Sequence, residues 1–138
     1  MGLTLEAAKA RYPGAQSFAF GDSAALNAEI LALVRAGRKT VTCDALAAFD
    51  ARGEVPPQPG RIDIATDWSG EPMLALRTLT VQHLRFDEVT EDLVADHAEF
   101  RDLAHWRAGY EAYLRRSGHF APYAVMLVER FEVVEVFA

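Results

Sequence analysis

The segment Arg38-Lys39-Thr40-Val41-Thr42-Cys43-Asp44 holds the residues best suited to chemistry. It contains a lysine in a chain that otherwise uses arginine: twelve Arg stand against two Lys, at positions 9 and 39. High-GC codon usage produces such a bias without functional meaning, but a retained lysine also marks a place where arginine will not serve. A desolvated lysine loses its proton and becomes a base, whereas a guanidinium stays charged. Two hydroxyls follow, on Thr40 and Thr42, and a hydroxyl within reach of a base is the general form of an activated nucleophile. On a straight strand residues 39 and 42 point to opposite faces, while a turn or helical start brings i and i+3 together. Chemistry at Lys39 and Thr42 therefore requires a bend here, and Thr40 is the competing hydroxyl. For an isolated K-T-x-T the plainer reading is a solvated cation after a helix and an ordinary strand threonine.

Other chemistries lack their residues. There is no G-x-S-x-G elbow, no Walker or Rossmann glycine pattern and no H-E-x-x-H. The four His, at 83, 97, 105 and 119, are scattered, and one cysteine cannot build a thiolate site. No metal and no cofactor are expected. Net charge is −6, so a tight, non-specific nucleic-acid surface would have to come from a local patch such as Arg35, Arg38 and Lys39. The lone Cys43 fits a reducing compartment. The first residues lack a secretory pattern, and no apolar run approaches a membrane span. The expectation is a cytoplasmic protein with no membrane partner.

The elements that must position this segment follow from periodicity. At 138 residues the chain has the size of a single domain, 1–138. A short helix over Leu5–Arg11 stops at Pro13-Gly14. Asp22 or Ser23 caps a second, whose apolar stripe is Leu26, Ile30, Leu33 and Val34 and which ends at Gly37. Arg38–Cys43 reads as a short strand or extended turn, and Asp44 as the cap of a helical turn through Phe49. Pro56, Pro57 and Pro59 make 52–60 a loop. Strand signals cover 61–67 and 73–86, joined through Trp68–Pro72. Leu74 and Leu76 share one phase, Leu79 and Val81 the other, and Leu84 and Phe86 return to the first. Such slips imply bulges or bends, which a small barrel needs. Helices are expected over 90–98 and 102–117, and a final strand over 123–137. The fold class is α+β: a small, bent, mixed β-barrel with helices packed outside.

An ordered series of short motifs runs through the chain. It comprises Gly21-Asp22-Ser23, Ala36-Gly37-Arg38-Lys39-Thr40-Val41-Thr42, Pro56-Pro57-x-Pro59-Gly60, Arg85-Phe86-Asp87-Glu88-Val89-Thr90, Trp106-Arg107 and Val128-Glu129-Arg130-Phe131. No one of these is specific alone, but together they resemble the ASCH-domain family (activating signal cointegrator homology) over nearly the whole chain. The resemblance implies a PUA-like β-barrel. It also implies either RNA binding, sometimes with ribonuclease activity, or removal of acyl groups from N4-acylated cytidine.

The amidohydrolase members of that family use a Lys, a Thr three residues later and a downstream Glu. The first two carry over as Lys39 and Thr42. The expected Glu position falls on His97, with Glu99 two residues on as the substitute carboxylate and His97 itself as an alternative proton carrier. In that reading Lys39 is base and proton shuttle, and Thr42 the nucleophile that becomes acylated. Candidates for substrate contact are Thr40, Cys43, Asp44, Trp68, Trp106, Arg107 and Tyr110. Trp106 or Tyr110 would stack on a base, although their helical stripe with Tyr113 reads first as core. Trp68 is an exposed turn aromatic, and Arg107 a carboxylate or phosphate partner or a solvated cation. Cys43 also reads as a small buried residue, and Glu129-Arg130 as a structural ion pair across the barrel. The leading expectation is a metal-independent amidohydrolase whose partner is a small nucleoside, acting as monomer or homodimer. The alternative is an RNA-binding PUA-like module.

Overall fold

The structure is a computed structural model that describes residues 2–138. Its helices begin where short polar side chains satisfy free backbone N–H groups. Thr4 accepts from the Ala7 N–H at 3.1 Å and opens α1, Leu5–Arg11. Ser23, rather than Asp22, accepts from the Leu26 N–H at 3.2 Å and opens α2, Ala24–Arg35. The buried face of α2 is Asn27, Ile30, Leu31 and Val34. It is thus rotated from the expected stripe, because the Asn27 amide turns inward to bond the Phe20 carbonyl at 2.9 Å. Gly37, at φ 75°, reverses the chain after α2, and the Arg38 and Lys39 N–H groups both bond back to the Leu33 carbonyl. Asp102 accepts from the His105 N–H at 2.8 Å and opens α5, Leu103–Ser117, which Gly118 ends at φ 80°.

Five strands form one mixed sheet. They are β1 (Ser17–Ala19), β2 (Val41–Ala45), β3 (Ile62–Thr66), β4 (Pro72–Arg85) and β5 (Val125–Val136), in the order β1-β3-β4-β5-β2. β1 and β3 are parallel and every other pair is antiparallel. The phase slip anticipated within β4 is a pairing slip: Thr78 faces Phe131 and Thr80 faces Arg130, leaving Leu79 out of the ladder and 45% exposed. A second slip falls between Ala75 and Leu76. Extra residues of this kind bend a strand, and the sheet curls into a half-barrel with helices around it. β1 and β2 are its two edges and do not pair with each other, so the concave side stays open.

Two local expectations need correction. β2 starts at Val41, so Arg38, Lys39 and Thr40 lie in the connector before it. Asp44 is a strand residue and not a helix cap; α3, Leu46–Ala51, begins after Ala45 with no side-chain cap. Between β4 and α5 stand a 3₁₀ turn at Phe86–Glu88 and α4, Glu91–His97. Among the described residues no helix is long and apolar enough to cross a membrane.

Candidate active site

The concave side of the sheet holds a cleft of about 810 Å³, inside the usual range of roughly 300–1,000 Å³ for small-molecule sites. Its wall includes Thr42, Cys43 and Asp44 of β2, Glu129 of β5, Glu99 before α5, and Tyr110 on α5.

Lys39 is placed behind that wall by backbone bonds on both sides. Its own N–H is tied to α2, and the next N–H, of Thr40, bonds the Asp96 carbonyl of α4 at 3.0 Å. The residue is 2% exposed. Its ammonium nitrogen Nζ donates to the Val41 carbonyl at 2.7 Å, the peptide group that joins Val41 to Thr42, and also to Glu99 Oε1. Because Lys39 precedes the strand, strand alternation does not set its direction. Thr42 lines the cleft and Lys39 does not. Glu99 is aimed by its predecessor: Ala98 caps α4 in the left-handed conformation, at φ 65°, and reverses the chain. Burial pushes the Lys39 pKa below its ordinary 10.5, while Glu99 pulls against that shift. A neutral amine is thereby brought nearer to neutral pH.

Immediately behind lies a sealed cluster. His97 is fully buried, and its Nδ1–H donates to the Leu93 carbonyl at 2.7 Å. This bond leaves Nε2 to accept from the Cys43 thiol at 3.3 Å. Burial, with the Lys39 charge adding to it, drives the His97 pKa down to about 3, and burial raises the Cys43 thiol to about 12. The pair is a neutral imidazole and a thiol, not a thiolate and an imidazolium. His97 does not line the cleft, and its two ring nitrogens are taken up by the Leu93 carbonyl and the Cys43 thiol. Cys43 borders the cleft but stays an un-ionised packing residue.

Trp106 is 0% exposed, stacked 4.7 Å from Tyr110 and 5.1 Å from Phe86, so it offers no face to a base. Its stripe is core. Tyr110 donates to the Cys43 carbonyl at 3.1 Å and presents only part of its ring to the cleft. Asp44 accepts from Tyr113 and pairs with Arg52 at 3.0 Å, at the cleft's mouth. Trp68 is 51% exposed but lines a separate concavity with Met73 and Ala138, and Arg107 is exposed and outside the cleft. Thr40 does not line the cleft either, which separates it from Thr42.

Glu129, expected only as part of an ion pair with Arg130, lines the cleft. Neighbours on a strand face opposite ways, and here Arg130 pairs with Asp96 at 2.9 Å while Glu129 enters the cleft. No Glu129–Arg130 bridge exists. The signal was present, since Glu129 shares its phase with Leu127 and Phe131, both buried. A carboxylate on a buried phase is the informative exception. Among the described residues no group of three or more His, Cys, Asp or Glu is arranged to hold a metal ion.

Comparison with known proteins follows the same outline. A family model described as ASCH domain matches residues 16–135. The ASCH-domain crystal structure from Lactobacillus crispatus JV V101 superposes with a TM-score of 0.81 at 23% identity, covering 96% of this chain and 86% of that one. A protein from Enterococcus faecalis V583, assigned to the DUF984 family, gives 0.78 at 26% identity, covering 90% and 78%. No curated protein matches this chain in sequence.

Proposed function

The chain belongs to the ASCH-domain family, and from that premise we propose that it is a metal-independent amidohydrolase acting on N4-acylated cytosine nucleosides. One observation carries the reading: a fully buried lysine is bonded to a carboxylate, Glu99, that lines a nucleoside-sized cleft together with Thr42. Buried lysines are rare unless paired, and a lysine desolvated beside a cleft is the usual way to obtain an amine base.

The chemistry runs through these three residues. The neutral Lys39 amine takes the Thr42 hydroxyl proton as Oγ1 bonds to the acyl carbon. Collapse of the tetrahedral adduct breaks the C–N bond, and Lys39 returns its proton to the departing cytosine amino group. Water then attacks the threonyl ester, giving back Thr42 and releasing the carboxylic acid. Glu99 orients the amine and balances its charge while the amine is protonated.

The cleft's charge favours a nucleoside over RNA. Seven of its lining residues are Asp or Glu and three are Arg, and each of those arginines is bonded to a carboxylate. Phosphates find no such arrangement attractive. Chelator-treated protein incubated with N4-acetylcytidine should release cytidine, as followed by chromatography. Thr42→Val should abolish release with little change in melting temperature, Thr42→Ser should keep part of it, and Thr40→Val should keep most. Restoration of a dead, chelated enzyme by zinc would overturn the metal-free reading. A dead Thr40→Val beside a working Thr42→Val would overturn the choice of nucleophile.

A further inference from the structure

Among the described residues, the carboxylates of the cleft are paired with cations except for two. Glu29 is exposed and solvated; Glu129 is not. Its Oε2 accepts from the hydroxyl of Thr78 at 2.6 Å, and Thr78 is itself 1% exposed, so the carboxyl is held in a fixed orientation. No described residue bonds to Oε1. Nor is that oxygen sealed in the core, since Trp106 Nε1 alone among the described side-chain polar atoms is both buried and unpartnered. Oε1 is therefore offered to whatever fills the cleft. Burial, reinforced by Asp63, raises the Glu129 pKa against the pull of the Thr78 hydroxyl and of Arg61. A carboxyl kept desolvated and half-satisfied is costly to the fold, and a ligand's donor would complete it.

Register identifies the donor. Thr42 and Glu129 are direct partners on antiparallel β2 and β5. Their side chains share the concave face, with Cβ atoms about 4.5–5.5 Å apart. An acyl carbon poised on Thr42 Oγ1 has its amide nitrogen about 1.33 Å away, within the reach of a cross-strand neighbour on the same face. We propose that Glu129 binds the substrate by accepting the N–H of the acylamino group, and so restricts the cleft to secondary amides of an amino-heterocycle. The identity of the ligand rests on the hydrolase reading above; the role of Glu129 as the acceptor does not require turnover.

The test is therefore a binding measurement. Thr42→Val protein is titrated by calorimetry with N4-acetylcytidine and with N4-acetyl-N4-methylcytidine, which lacks the N–H. The secondary amide should bind at least about tenfold tighter, as expected for a hydrogen bond to a charged acceptor. Adding Glu129→Gln should compress that ratio to about threefold or less. Thr78→Val, which frees the carboxyl to move, should compress it partway. A ratio near one in the Thr42→Val protein, a ratio unchanged by Glu129→Gln, or no binding of either compound would overturn the proposal. If Glu129 were merely structural, Glu129→Gln would weaken both ligands equally. Discrimination as predicted, in a wild-type protein that releases no cytidine, would sink the hydrolase reading and leave the Glu129 assignment standing.

Discussion

Lys39 and His97 are both fully withdrawn from solvent, and their fates show what a single side chain can and cannot announce. Lys39 was legible because the composition made it an exception: one of two lysines, beside two threonines. Its partner was open between positions 97 and 99, since motif spacing alone fell on the histidine. Helical phase separates the two. His97 stands three residues after Val94, which is buried, and four after Leu93, on the inner face of α4, whereas Glu99 lies past the reversal at Ala98. His97 has a pH consequence of its own. Its folded pKa is depressed to about 3 from 6.5, so the unfolded chain binds the extra proton throughout that window. The contribution to stability is complete above about pH 6.5 and is lost as pH falls towards 3, on the order of 5 kcal/mol in all. Urea unfolding at pH 7, 5.5 and 4 should show this decline, and His97→Leu should flatten it. Equal slopes in both proteins would contradict the buried neutral imidazole.

At the scale of elements, most local signals are legible in short stretches, the Asp44 cap excepted, and pairings across the sheet are not. The cap of α2, open between Asp22 and Ser23, the turn at Gly37 and the slip within β4 are written in short stretches of chain. That β1 and β2 remain unpaired edges depends on contacts far apart in sequence, and no local pattern encodes it. The site hangs on the connection between α4 and α5. Phe100, next to Glu99, lies over Gly109 of α5, where an added Cβ would come within 2.9 Å of its ring. Gly109→Ala should gain helix propensity worth about 1 kcal/mol and offset it by pushing the Phe100 ring into the cleft wall. The expected result is a melting temperature within a few degrees of wild type and a several-fold loss of kcat/KM for the acylated nucleoside. Unchanged kinetics would show that the 98–100 turn does not hold the site in shape.

The whole molecule is a curled mixed sheet with an open concave face whose lining holds more Asp and Glu than Arg. The net charge of −6 discouraged RNA at the level of composition, and the lining of the cleft repeats that preference locally. What composition could not convey is where the acids gather, because that follows from the curl and from the strand register that brings Thr42 opposite Glu129. The fold thus sets the Thr42 hydroxyl and the Glu99 and Glu129 carboxylates on the wall of one cavity, with the buried Lys39 bonded to Glu99 behind it. Substitution separates a Lys39 that works as a base, as proposed, from one that is only a fixed positive charge. Steady-state release of cytidine from N4-acetylcytidine should fall roughly 10²–10⁴-fold in both Lys39→Ala and Lys39→Arg, because a guanidinium keeps the charge but cannot take a proton at neutral pH. An active Lys39→Arg enzyme beside an inactive Lys39→Ala would contradict the role as base.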